Sequence, residues 1–136
     1  MNDRKEKLFE AHKNVRVRKA TSTNAVNKIA LERDCPIAFT ISAIGGRWKL
    51  SILALLKDHG PLRYSEIKSK LPGISERILT LQLKELEQFS LVSKKLYAEV
   101  PARSEYSLSA KGKSLETILE EMTKWGEIHR AEPNPH

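Results

Sequence analysis

The sequence predicts a mainly α-helical chain with one small β-hairpin, an α+β fold, and three observations carry that reading. From Leu62 to Leu71 the apolar residues Tyr64, Ile67 and Leu71 recur at helical spacing on one side. After a Pro72-Gly73 break and Ser75, the apolar residues Leu79, Leu83 and Leu86 repeat at steps of four and three. Leu91-Val92 with Leu96-Tyr97, and then Tyr106 with Leu108, mark two short strands around a loop at 98–104 that holds Pro101 and Arg103. Helix, tight turn, helix and hairpin, in that order, make a winged helix-turn-helix.

Three stretches organise the chain. Residues 1–34 are polar and basic, with nine Lys/Arg against five acids, and read as a loosely ordered N-terminal arm with room for a helical turn or two. That arm has two readings: an electrostatic strap along a polyanion, or a solvated extension, which is what charge runs usually are. Residues 35–130 form the domain and 131–136 a short tail. At 136 residues there is room for one domain with a modest core.

Within the domain the first helix begins at Pro36, since proline suits a first helical turn, and Gly45-Gly46 ends it. A second helix starts near Arg47 and turns Trp48, Ile52, Leu53 and Leu56 toward the core. The helix that ends near Leu71 is stopped by Pro72-Gly73, because proline lacks a backbone N–H and glycine accepts a left-handed turn. Ser75 caps the next helix, with Ile74 and Leu79 placed as a hydrophobic staple. With Leu79, Leu83 and Leu86 turned inward, 100° per residue places Arg77, Thr80, Leu81 and Lys84 on the outer face. A last helix, from Ser109 to Ile128, lines up Leu115, Ile118, Leu119, Met122, Trp125 and Ile128.

Charge follows this plan. The formal net charge is +7, and residues 63–84 and 91–113 each carry five Lys/Arg against two acids, whereas residues 114–132 carry five acids against two bases. Positive charge therefore collects on the helix pair and the hairpin, which favours a polyanionic partner there. The candidate DNA-contacting residues are Arg63, Ser75, Arg77, Thr80, Leu81 and Lys84 around the helix pair, with Lys94, Lys95 and Arg103 on the wing. Arginine can grip guanine through two bonds, and threonine can bond a base edge or touch a thymine methyl. An exposed leucine at 81 either meets a thymine methyl or packs locally. A wing lies along phosphates or enters the minor groove, whose negative potential favours arginine.

The chain resembles the HxlR family of bacterial winged-helix transcriptional regulators over roughly residues 35–130. The matching stretches are CPI at Cys35-Ile37, GGRWKLSIL at Gly45-Leu53 and LRYSEI at Leu62-Ile67, followed by LPGISERILTLQLKELE at Leu71-Glu87, EVPARSEYSLSAKG at Glu99-Gly112, and Trp125, Gly126 and His129. Three positions depart from the family pattern: Arg47 stands in place of the usual lysine, Ser90 in place of the glycine that ends the recognition helix, and Ser104 in place of a common valine. The resemblance implies a homodimer joined through its terminal helices, repression by promoter occlusion, and, in some members, a switch for oxidants or electrophiles at a cysteine placed like Cys35.

Dimerisation has its own footing in the residues. A core this small has little capacity for two further amphipathic helices, so Ile37 and Ile41 of the Pro36 helix, with Leu115, Ile118, Leu119, Met122 and Trp125 of the last helix, are expected to meet a second subunit rather than fold back. A two-fold protein reads a two-fold operator with half-sites ~34 Å apart or a multiple of that. Cys35, just before Pro36, sits at a helix N-cap where free N–H groups favour a thiolate, with Arg33 helping and Asp34 opposing. The other reading of Cys35 is a small capping residue without redox chemistry.

An enzyme is not expected. The four histidines are scattered, no cysteine accompanies them at zinc spacing, and there is no glycine-rich phosphate loop or nucleophile elbow. No cofactor or metal is implied, and any small-molecule effector is unmarked. One cysteine excludes an intrachain disulfide and fits a reducing, cytoplasmic setting, and no apolar run reaches the length of a membrane span. The functional expectation is a sequence-specific reader of double-stranded DNA. The alternative is a winged helix used for protein assembly or RNA binding, since fold does not fix function.

Overall fold

The computed structural model describes residues 23–133. They fall into two units, one up to Ala43 and one from Ile44 onward. The first holds α1, Thr23–Asp34, and α2, Pro36–Ile44, whose last residue opens the second unit. The final part of the expected loose arm is thus a regular helix of 12 residues with an i,i+4 pair, Lys28 to Glu32 at 3.9 Å. The rest of that arm, and the end of the tail, lie outside the described residues.

The second unit is built on α3, Lys49–His59, whose Ile52 and Leu53 are 0% exposed. It ends at Gly60, which takes the left-handed φ of 72° that glycine tolerates and returns its N–H to Leu56 O at 3.0 Å. Next come β1, Leu62–Arg63, α4, Tyr64–Lys70, and α5, Glu76–Gln88. Between α4 and α5 the chain turns through Pro72 and Gly73, with φ of 90° at Gly73, and Leu71 and Ile74 on either side are buried. The wing strands are β2, Val92–Tyr97, and β3, Arg103–Leu108, paired antiparallel from Val92 opposite Leu108 to Tyr97 opposite Arg103.

The expected hairpin is present as β2 and β3, and a third strand joins it in the order β1-β3-β2, because Leu62 pairs with Tyr106 and Arg63 with Glu105. A strand of two residues shows no period, so it reads as the approach to α4. One expectation is corrected: the last helix is divided, into α6, Ala110–Lys113, and α7, Glu116–His129. Ser109 caps α6 by accepting the Gly112 N–H at 3.0 Å, and its own hydroxyl donates to Ser90 O. A Cβ at Gly112 would collide with the Leu91 carbonyl. This close approach fastens α6 to the exit of α5, and the chain turns at Ser114-Leu115 before α7 packs on α3.

Candidate nucleic-acid interface

The exposed side of α5 carries the cluster expected from its period. Leu79, Leu83 and Leu86 are 0%, 1% and 0% exposed, whereas Arg77, Thr80, Leu81 and Lys84 all face solvent. Leu81 is 45% exposed, so it does not pack into the domain. Ser75 is the N-cap, its Oγ accepting from the Ile78 N–H at 3.1 Å. Its hydroxyl proton remains for an outside acceptor, while the oxygen holds the first turn of α5.

Two side chains to which the sequence reading gave no role at the interface, Lys49 and Tyr64, fix this helix. Lys49 Nζ of α3 meets Glu85 Oε2 of α5 at 2.6 Å. Tyr64 of α4 reaches α5 with its hydroxyl, donating to Glu76 O at 3.0 Å and lying 3.0 Å from Thr80 Oγ1. At α4 the Arg63 N–H donates to the Glu66 carboxylate at 3.0 Å, which leaves the exposed Arg63 side chain beside the start of the helix pair. Among the described residues, Arg63, Arg77, Lys84, Lys94 and Lys95 form no ion pair, so their charges are available to an anion.

On the wing, Lys94 and Lys95 are exposed, with ammonium groups 6.0 Å from the Tyr106 ring and 4.9 Å from the Tyr97 ring. Arg103 departs from expectation. It is the first residue of β3 rather than a loop residue, its guanidinium stacks 4.3 Å from the centre of the Tyr97 ring, and its Nε lies 3.2 Å from Glu99 Oε2. Tyr97 in turn donates to Glu105 at 3.3 Å. Arg103 therefore braces the wing, with part of its charge already answered.

The expected dimer residues separate by exposure. On α7, Ile118, Met122 and Trp125 are 42%, 44% and 67% exposed, and Ile128 is 67% exposed. Leu115 is half-buried, and Leu119, at 5%, belongs to the domain's own core rather than to a free stripe. On α2, Ile37, Phe39 and Ile41 are exposed. Cys35 lies half-buried between α1 and α2: its N–H bonds Leu31 O at 2.7 Å and its carbonyl accepts from Phe39 N–H at 3.1 Å, the N-cap place. Arg33 pairs with Asp34 at 3.2 Å, so its charge is shared with that carboxylate. Among the described residues no three His, Cys, Asp or Glu side chains gather as a metal site, and no single helix is long and apolar enough to cross a membrane.

A helix-turn-helix with a cationic outer face and a basic wing matches one family model, HxlR-like helix-turn-helix, over residues 43–133. The chain belongs to the HxlR family. An uncharacterised HTH-type transcriptional regulator of Methanothermobacter thermautotrophicus is 44% identical over 95 residues, covering 70% of this chain and 72% of the relative. The HTH-type regulator YdzF of Bacillus subtilis is 38% identical over 111 residues, 82% of this chain and 99% of the relative. Among solved structures, the redox regulator HypR in its reduced form superposes with a TM-score of 0.68 at 42% identity, over 71% of this chain and 94% of that one. The reduced form of the transcriptional regulator YodB from B. subtilis superposes at 0.62 and 37% identity, over 74% of this chain and 97% of that one. HxlR relatives and neighbours are thus transcriptional regulators, and the winged-helix architecture is theirs.

Proposed function

We propose that this chain is a homodimeric transcriptional regulator of the HxlR family that reads a two-fold DNA operator with α5 and acts as a repressor in the cytoplasm. The observation that carries the reading is α5 itself: a helix with three leucines sunk in the core and Arg77, Thr80, Leu81 and Lys84 turned outward. Arg77 supplies a bidentate contact to guanine, Thr80 and Leu81 meet neighbouring base edges, and Lys84 adds charge along the groove. Arg63, Lys94 and Lys95 anchor to phosphates and set register without reading sequence. The apolar faces of α2 and α7 supply the contact with a second copy, and two-fold symmetry then places two α5 helices on one side of the duplex. Ser75 belongs to this interface through its hydroxyl proton, and Arg103 supports it by holding the wing.

Cys35 gives the regulator its stimulus in this reading. It is the chain's one thiol and lies between α1 and α2. HypR is a redox regulator, and YodB has been solved after diamide treatment. Two Cys35 thiols from two subunits, or one thiol and a small thiol, lose two electrons and two protons to diamide and form a disulfide. Mild diamide then releases the operator from the wild type, a thiol reductant restores binding, and Cys35→Ser binds normally and ignores the oxidant.

The function as a whole is tested by gel-shift titration against random duplex DNA and duplex RNA at two salt concentrations. DNA binding that weakens steeply with salt, with weaker binding to duplex RNA, supports it. Equal affinity for RNA, or no affinity for either polymer, assigns the fold to RNA binding or to protein assembly instead.

A further inference from the structure

Tyr64 touches the recognition helix twice with one hydroxyl. It donates to Glu76 O at 3.0 Å, and it stands 3.0 Å from Thr80 Oγ1. A carbonyl only accepts, so the single phenolic proton is committed to Glu76, and the Thr80 hydroxyl must donate the other bond. Protons therefore point one way along the chain, from Thr80 to Tyr64 to Glu76. Two other helical threonines behave differently: Thr40 and Thr123 give their protons to the carbonyls four residues earlier, Pro36 O at 3.0 Å and Leu119 O at 2.9 Å. For Thr80 the corresponding carbonyl is Glu76, which Tyr64 holds.

Thr80 is exposed on the same face as Arg77, Leu81 and Lys84. With its proton turned inward to Tyr64, the side chain presents oxygen lone pairs and a methyl group outward. We propose that Tyr64, though it touches no base, sets the base preference at the position Thr80 meets. It fixes the Thr80 hydroxyl as an acceptor. The hydroxyl then favours the exocyclic amino group of adenine or cytosine over the keto oxygen of guanine or thymine. Hydrogen bonds in such a chain polarise one another, which strengthens the outward acceptor. This rests on α5 being the DNA-reading helix. Tyr64 is a positioning residue and Thr80 the contact.

The test begins with the operator enriched by the wild-type protein and the position whose preference disappears in Thr80→Val, which keeps the methyl group and removes the hydroxyl. Four duplexes differing only there are then titrated against wild type, Tyr64→Phe, Thr80→Val and the double variant. The wild type is expected to favour the amino-bearing bases by about five- to tenfold. Tyr64→Phe should reduce this to about twofold or less, because the threonine rotor and its proton are released. Its preference at the position set by Arg77 should remain, and in the Thr80→Val background it should change nothing further at the Thr80 position. A Tyr64→Phe profile equal to wild type overturns the proposal. So does a wild-type preference for keto bases, or an equal loss at every position, which would make Tyr64 only a support for α5. If the wild type enriches no operator at all, the DNA-reading role of α5 fails first, and this inference falls with it.

Discussion

Lys49 and Glu85 join α3 to the last turn of α5 through a 2.6 Å contact between Nζ and Oε2. The lysine is 12% exposed and the carboxylate 34%, so the pair is partly removed from water, and Glu85 lies one turn beyond Leu81 beside the outer cluster. A pair so placed costs more to break than to replace, since removing one member leaves the other charge unanswered. Lys49→Met is expected to lower stability by about 1–2 kcal/mol in urea denaturation. Lys49→Met combined with Glu85→Leu should recover part of that loss. A single variant as stable as the wild type would show that the pair does not brace α5.

Ser90 has a φ of 60°, in the left-handed region that favours glycine, at the exit of α5. Its N–H still donates to Glu87 O at 2.9 Å and Leu91 N–H to Leu86 O at 3.0 Å, so the chain leaves the helix in a glycine-like way while carrying a side chain. Ser90→Gly is expected to stabilise the protein by about 0.5–1 kcal/mol, read as a rise in melting temperature, with the fold unchanged. Ser90→Val, β-branched at the same φ, should destabilise it.

The contrast within α7 gives a direct separation of core from interface. Met122→Glu and Trp125→Glu replace exposed apolar side chains and are expected to yield folded monomers in sedimentation, with the wild type expected to sediment as a dimer at tens of micromolar. Leu119→Glu, at a position only 5% exposed, should unfold the domain instead. Wild-type protein that is monomeric at that concentration would refute the dimer.

Charge on the wing can be apportioned by salt dependence. Lys94→Ala and Lys95→Ala are each expected to lower the slope of log affinity against log salt by about one unit, as one released phosphate contact does. Arg103→Ala should change the slope less and loosen the wing, because its guanidinium is stacked on Tyr97 and faces Glu99. A full unit lost at Arg103 would show that it leaves those partners when DNA binds.

What the sequence disclosed depended on how local each signal was. The start of α5 was legible because the capping Ser75 and the Ile78 N–H that donates to it lie three residues apart, and its buried side because Leu79, Leu83 and Leu86 keep one period. The outer cluster followed from the same geometry. β1 was not legible, since Leu62–Arg63 becomes a strand only through β3 more than forty residues later. The turn at Ser114-Leu115 was hidden for a related reason: the apolar spacing runs through it, and the close approach of Gly112 to Leu91 is tertiary. Tyr64 read as an apolar residue of α4 because its ring is one. Its hydroxyl gained a role only when Thr80, 16 residues on, was folded against it. Arg103 read as a free wing cation because nothing in its neighbours' order announces the stack on Tyr97, its partner across the hairpin.

The central claim, that the outer face of α5 reads DNA sequence, is tested most directly by enriching bound duplexes from a random pool with wild-type protein and with Arg77→Ala in parallel. The wild type is expected to enrich one two-fold motif with half-sites separated by ~34 Å or a multiple of it. Arg77→Ala should bind that motif about 1–3 kcal/mol more weakly and lose its preference at one symmetric pair of positions, keeping the rest. Enrichment of no motif by the wild type, or the same motif at the same affinity from Arg77→Ala, would contradict the assignment of α5 as the reading helix.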